Sequence, residues 1–336
     1  MLSASTPVNQ AATLDQIPQV ITEEMNQLLT GEFMEHEVVA ALKQMALLKA
    51  SGPVGMPPLF YQDFWQMMNQ DIISSILSWP NSGKLPHPVN HTFIALIPKI
   101  KNPEYITEYR LISLCNVLYK IFSKVLANRI KKLLPTIITE HQFAFTKDCL
   151  ITDSILVGFE TFHSMKNYKS GDNGFMALKL DMSKAYDLVE WSFLENLMRK
   201  MGFCENWINL MMECVRTVSY SVLINGEPKG LVYPSQGIRQ GDPLSPFLFL
   251  LCMEGLHGLI NNAARRGDIK GFLLCRGGPE LTHLLFTDDS LLFCRATLEE
   301  CEKVLQILES YKQASGQKVN RNKTAFFFSA KPHQIL

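Results

Sequence analysis

The stretch "HLLFTDDSLLFCR", residues 283–295, limits what this chain can become more than any other. Asp288 and Asp289 interrupt an apolar run, with Leu284, Leu285 and Phe286 on one side and Leu291, Leu292 and Phe293 on the other. Short apolar runs of this kind read as strands, and an ionised carboxylate is costly in a core without a compensating partner. Both demands are met by a hairpin whose tip leaves the sheet at its edge and meets positive charge there. An Asp-Asp pair alone is weak evidence, because turn tips collect aspartate for backbone reasons. A second apolar strand, "MALKLD", ends on Asp181 in the same way. Three carboxylates gathered at one sheet edge repel one another, and divalent cations with oxygen ligands remove that repulsion. Two such ions about 3.5–4 Å apart can activate an attacking hydroxyl and stabilise a leaving group.

The rest of the chain fits an α+β design, with helices packed on one face of an antiparallel sheet. "HTFIALIPK" (91–99) reads as a strand. "SLCNVLYKIFSKVLANRIKKLLP" reads as a long helix capped by Ser113 and stopped by Pro135. Residues 174–187 read as a strand turning into a helix near Asp181, and that helix ends at Gly202. Residues 219–237 read as a hairpin turning at Asn225–Gly226. Thr297 and Glu300 form a capping box ahead of an amphipathic helix that Gly316 ends. The last strand is "KTAFFFS". Residues 1–30 read as a weakly structured leader and 31–90 as a helical extension.

Net charge is zero but uneven. Residues 1–80 hold two basic and eight acidic groups, whereas 96–147 hold nine basic and three acidic ones. That pattern argues against a protein that merely coats nucleic acid, and it permits a local basic groove. Lys120, Lys124, Arg129, Lys131 and Lys132 lie largely off the apolar stripe of the long helix. By themselves they read as a solvated face. The eight cysteines match no zinc-knuckle spacing, so reduced thiols inside a cell are expected. No signal peptide is evident. "PFLFLLCMEGLHGLI" carries Glu254 and His257 and is too short for a membrane span, so a buried helix is expected there.

Several stretches together resemble the reverse transcriptase of plant non-LTR (LINE-type) retrotransposons. "LKLDMSKAYDLVEW" resembles the first catalytic motif, "GIRQGDPLSPFLFLL" the template- and nucleotide-positioning motif, and "HLLFTDDSLLFC" the Phe-x-Asp-Asp hairpin. "ASGQKVNRNKT" resembles the lysine motif that follows. "LIPKIKNPEYITEYRLISLCNVLYKIFSKVLANR" resembles the fingers motifs, and "KASGPVGMPPLFYQDFW" the extension ahead of them. The motifs stand in the family's order over roughly residues 30–330.

The resemblance implies a right-hand polymerase with fingers and palm over 91–330, an antiparallel palm sheet backed by helices, and an N-terminal helical extension. It implies an RNA-directed DNA polymerase that works on an RNA template, a DNA primer and dNTPs. Asp181, Asp288 and Asp289, with the carbonyl of Met182, would hold two Mg²⁺ ions, for which Mn²⁺ can substitute. Tyr186 would clash with a ribose 2′-hydroxyl; a core tyrosine is the competing reading. Arg110 would grip the triphosphate, since guanidinium suits phosphate through paired donors. Lys99 would assist, a role beside which an ordinary surface lysine fits equally well. Gln240 and Gly241 would line the nucleotide site, glycine allowing close backbone approach. Lys323 would protonate pyrophosphate; without the resemblance it is a strand-edge lysine. The basic helix residues would follow the template backbone.

The sequence departs from the family pattern at Leu111, Asp148, Cys149 and Leu188, and also at Ser51, Val54 and Thr287. The expected endonuclease and full thumb are not recognised. A degenerate, catalytically inactive remnant that at most binds nucleic acid is therefore the second reading. No membrane partner is expected. Oligomeric state, and the choice between nucleus and cytoplasm, stay open.

Overall fold

Strands form where apolar residues alternate with polar ones or run continuously between turn signals. In chain order they are β1 (His91–Pro98), β2 (Tyr109–Cys115), β3 (Phe175–Ser183), β4 (Ser219–Ile224), β5 (Glu227–Val232) and β6 (Phe272–Leu273). They continue with β7 (Glu280–Leu281), β8 (His283–Phe286), β9 (Asp289–Arg295), β10 (Lys318–Val319) and β11 (Ala325–Phe328). The computed structural model describes residues 10–142, 151–168, 174–275, 277–287 and 289–329. The fold is mixed α/β. The chain divides into two compact units, one of Met1–Ala4, Ile21–Leu133 and Gly202–Leu248, the other of Ser5–Val20, Leu134–Met201 and Phe249–Leu336.

The first unit contains a four-stranded sheet in the order β2-β1-β4-β5. Its β1–β2 and β4–β5 pairs are antiparallel, but β1 and β4 run parallel. A single antiparallel sheet was expected, and this parallel pair departs from it. The Asn225–Gly226 turn forms as predicted, with φ of +54° and +83°, the conformation a two-residue hairpin turn requires. Ser113 does not cap a helix. It lies in β2, where its N–H donates to the Gln240 carbonyl at 2.8 Å, and the helix Val117–Lys131 starts after Asn116. That helix is buried on nearly every side, so it has little solvated face.

Between residues 31 and 90 lie helices at Glu35–Lys43, Pro58–Asp63, Trp65–Ser82 and His87–Asn90. Residues 10–30 include helices at Gln10–Leu14 and Glu23–Thr30. Thr22 caps a helix over Glu23–Thr30 through the Met25 N–H. Its Leu29 is buried, and Asn26 binds the Gly202 carbonyl and the Cys204 N–H.

In the second unit β3 is central. It pairs with β9 on one side and with β10 and β11 in succession on the other, and β8 lies beyond β9. Every pair in this sheet is antiparallel. Phe175, Ala177, Leu284 and Phe293 pack with Met165 and Phe272 into a core under it. Asp181 does not begin a helix: β3 runs on to Ser183, a turn follows, and the helix starts at Trp191. Thr297 caps Leu298–Ser315 by accepting from the Glu300 N–H. The Glu300 carboxylate turns instead to the Lys270 and Arg295 N–H groups, so half of the predicted capping box forms. The oily stretch belongs to a 21-residue helix, Ser245–Arg265. By length and composition that helix could cross a membrane, but 72% of its apolar window is buried inside the protein, as in a core helix.

Candidate active site

Period-two alternation puts Lys179, Asp181 and Ser183 on one face of β3, and Leu178, Leu180 and Met182 on the buried face. Asp181 is the direct partner of Asp289, the first residue of β9. Directly opposed residues present their side chains on the same face of a sheet, so the two carboxylates share one surface. Asp288 lies outside the described residues. Thr287, which precedes it, has φ of +49°, a left-handed conformation that a β-branched residue rarely adopts. The hairpin that delivers the acidic pair is therefore strained at its first turn residue.

Two ammonium groups accompany the carboxylates. Lys323 Nζ lies 3.2 Å from Asp181 Oδ2, and Lys179 Nζ lies 3.5 Å from Asp289 Oδ1. The backbone aims Lys323. Asn320 donates its N–H to the Asp181 carbonyl at 2.8 Å, and a short 3₁₀ turn over Arg321–Lys323 then brings the lysine back to the Asp181 side chain. The Asp289 and Lys179 side chains are both more than half exposed, and exposed pairs contribute little stability. A hard divalent cation could displace both lysines cheaply. The acidic centre offers oxygen donors, as Mg²⁺ prefers. The side chain of Met182 points into the core, which leaves only its backbone carbonyl as a donor toward this face. Tyr186, in the turn after β3, is half-buried and stacks on Phe249 with ring centroids 5.1 Å apart and planes 7° from parallel.

The first unit holds the remaining candidates. Arg110 is exposed on β2, opposite Ile97. Lys99 is exposed beyond the end of β1, and its Nζ donates to the Thr107 carbonyl at 3.0 Å. Gln240 and Gly241 are exposed. Gly241 has φ of +116°, and a Cβ there would stand 2.9 Å from the Ser113 carbonyl oxygen, so both conformation and close approach require glycine. The loop is held by a buried pair that the sequence did not single out. Arg239 meets Asp242 at 2.9 Å, Tyr119 donates to the same carboxylate at 2.6 Å, and Arg239 stacks on the Tyr119 ring.

The basic helix residues divide sharply. Lys120 is buried, its ammonium donating to the Ala50 carbonyl at 2.7 Å. Arg129 is buried against Glu37, donates to the carbonyls of Leu29, Gly31 and Glu32, and lies 3.6 Å from the Phe33 ring centre. Neither can follow a template backbone; both tie the helix to the chain before it. Lys124 is half-buried, while Lys131 and Lys132 are exposed. Lys179 and Phe249 were also not anticipated. The signal for Lys179 was its position two residues before Asp181 on the same strand face.

Residues 97–336 match the family described as "Reverse transcriptase (RNA-dependent DNA polymerase)". The chain is 25% identical over 311 residues to the "Transposon TX1 uncharacterized 149 kDa protein" of Xenopus laevis, covering 93% of this chain and 23% of that one. It is 26% identical over 268 residues to the "Retrovirus-related Pol polyprotein from type-1 retrotransposable element R2" of Nasonia vitripennis, covering 80% and 24%. A 68-residue stretch is 53% identical to an uncharacterized mitochondrial protein of Arabidopsis thaliana, covering 20% of this chain and 56% of that one. The chain spans about a quarter of the length of the first two relatives.

Proposed function

The chain belongs to the reverse transcriptase (RNA-dependent DNA polymerase) family, and from that premise we propose that it is the nucleotide-adding core of a non-LTR retrotransposon enzyme, extending a DNA primer along an RNA template. In this reading the sheet of β3 and β8–β11 is the palm, and β1, β2 and the helix Val117–Lys131 belong to the fingers. The observation that carries the reading is the direct pairing of Asp181 with Asp289 on adjacent strands, inside the region that matches the family.

Asp181 and Asp289, joined by Asp288, would hold two Mg²⁺ ions. When bound, these supply Lewis acidity toward the primer 3′-hydroxyl and the leaving pyrophosphate. The chain's own residues then position and protonate. Lys323, already beside Asp181, would give its proton to a pyrophosphate oxygen as the α–β phosphate bond breaks. Arg110 would pair with triphosphate oxygens, with Lys99 nearby in sequence as a second cation. The Gln240–Gly241 backbone would line the nucleotide, and Lys131 and Lys132 would contact template phosphates. Base pairing supplies the sequence reading.

Primer extension on poly(rA)/oligo(dT) tests this. The purified chain with Mg²⁺ should incorporate dTTP, and excess EDTA should abolish incorporation. No product above the EDTA blank would leave the second reading, an inactive remnant that binds nucleic acid.

The stacked Tyr186 ring would exclude the ribose 2′-hydroxyl. Tyr186→Ala should lower discrimination against rNTPs roughly ten- to a hundredfold, the range one steric group provides. Tyr186→Phe keeps the ring and should keep the selectivity. Single-nucleotide incorporation rates with dTTP and UTP measure both, and unchanged selectivity in the alanine variant would exclude the role.

A further inference from the structure

Three histidines from distant parts of the second unit meet in its interior. His141 follows the short helix Leu134–Ile137, His257 lies in the middle of Ser245–Arg265, and His283 opens β8. One ring nitrogen from each lies within 4.8 Å of the other two. His257 Nδ1 and His283 Nε2 are 2.9 Å apart, and the His141 ring stacks on His283 with centroids 4.6 Å apart. His283 is buried, and the other two are half-buried.

From this geometry we propose that His141, His257 and His283 form a three-imidazole site for a borderline transition-metal ion, Zn²⁺ in the first instance, separate in chemistry from the aspartate centre. Imidazole nitrogens favour such ions, whereas Mg²⁺ favours the oxygens of carboxylates. Two of the rings have the second nitrogen engaged elsewhere, as metal-binding histidines usually do. His283 Nδ1 pairs with the Thr282 hydroxyl at 2.8 Å, and His141 Nδ1 pairs with that of Thr139 at 3.2 Å. These contacts leave Nε2 of both rings for the shared centre, where that of His283 faces Nδ1 of His257. Zinc–nitrogen bonds of about 2.0–2.1 Å in a tetrahedral arrangement need nitrogens roughly 3.4 Å apart. Reaching that spacing takes changes of up to about 1.4 Å, and the His141 and His283 rings, stacked with planes 16° apart, must tilt for their in-plane lone pairs to converge.

Such an ion would clamp three segments that already touch. The Leu285 N–H donates to the His141 carbonyl at 2.8 Å, which fixes residues 139–142 to β8. In turn β8 pairs with β9, which begins at Asp289. The ion would brace the base of the hairpin in which Asp289 opens the second strand, and the inference does not require polymerase activity.

The full chain, stripped with chelator, should be titrated with Zn²⁺ against a chromophoric chelator, and with Co²⁺ while visible absorption is followed. One tight equivalent of Zn²⁺ is expected, with the intense visible bands of low-coordinate cobalt and a thermal midpoint that rises when Zn²⁺ is added. His257→Gln and His283→Gln should each weaken Zn²⁺ binding at least tenfold and abolish the rise in midpoint. His257, half-buried, carries the test if the His283 variant fails to fold. Asp181→Asn should bind Zn²⁺ as the parent chain does. Absence of tight binding, affinity unchanged in His257→Gln, or loss of zinc in Asp181→Asn would each overturn the proposal.

Discussion

Asp181→Asn is expected to reduce primer extension by about a thousandfold or more while leaving the fold intact. Asparagine has nearly the same shape, and the backbone carbonyl that receives the Asn320 N–H is unaffected. Among the described residues the side-chain partner lost is Lys323, itself mostly exposed, and such a pair contributes little to stability. What is removed is one of two carboxylates paired across the sheet, where the proposed reaction needs charge to be neutralised during phosphoryl transfer. Loss of one preorganised charge-stabilising group elsewhere costs a hundred- to a thousandfold, and a metal ligand is a more severe loss. Extension rates and thermal midpoints of the parent and variant chains decide the matter. Parental activity would show that Asp181 holds no catalytic ion, and a large fall in midpoint would show a structural role instead.

Arg129→Ala should destabilise the first unit by about 3–5 kcal/mol, the cost of removing one partner from a buried, hydrogen-bonded charge pair. The guanidinium donates twice to Glu37 and once each to the carbonyls of Leu29, Gly31 and Glu32. Without it three carbonyls lose the guanidinium donors, and a mostly buried carboxylate keeps only the Met34 N–H among the donors described. Arg129→Lys should recover only part of the loss, because one ammonium cannot span a planar fork of acceptors. The effect also depends on pH. Burial raises the pKa of Glu37, but the hydrogen bonds from Arg129 and the Met34 N–H outweigh it, and the net shift is downward. Stability from the pair is therefore complete above the ordinary carboxylate value of 4.5 and is lost as pH falls below it. The penalty in Arg129→Ala should shrink in acid. Lys131→Ala, at an exposed site of the same helix, should leave stability unchanged. Urea denaturation of the three variants at pH 4 and pH 7 measures these differences.

What could be read from residue order was local. The Asn225–Gly226 turn, the cap at Thr297, the strand that carries Asp181 and the hairpin of β8 and β9 all rest on neighbouring residues, and all formed, although that strand runs on past Asp181 to Ser183. The misreadings share one cause, partners far along the chain. Leu114 continues an apolar pattern that suits a helix, yet pairing with Phe93 makes it part of a strand. Lys120 and Arg129 look like solvated charges because their acceptors, at Ala50 and around Leu29–Glu32, leave no trace in the helix's own spacing. The parallel pairing of β1 with β4 and the meeting of His141, His257 and His283 depend on the same kind of distant contact. Where a side chain's partner is a distant backbone carbonyl, the periodicity of hydrophobic residues carries no information about it.

In the proposed two-metal reading, the pairing of Asp181 with Asp289 makes alignment of the two strands a functional coordinate in its own right. Inserting one residue early in β9 would reverse the alternation and turn Asp289 toward the core. Inserting two would restore the outward face but displace the carboxylate about 6.8 Å along the strand, beyond the span of a shared ion. Length changes in this short segment would therefore silence the chemistry while the sheet still forms, whereas the exposed β4–β5 turn, remote from the acidic face in sequence, has no such constraint.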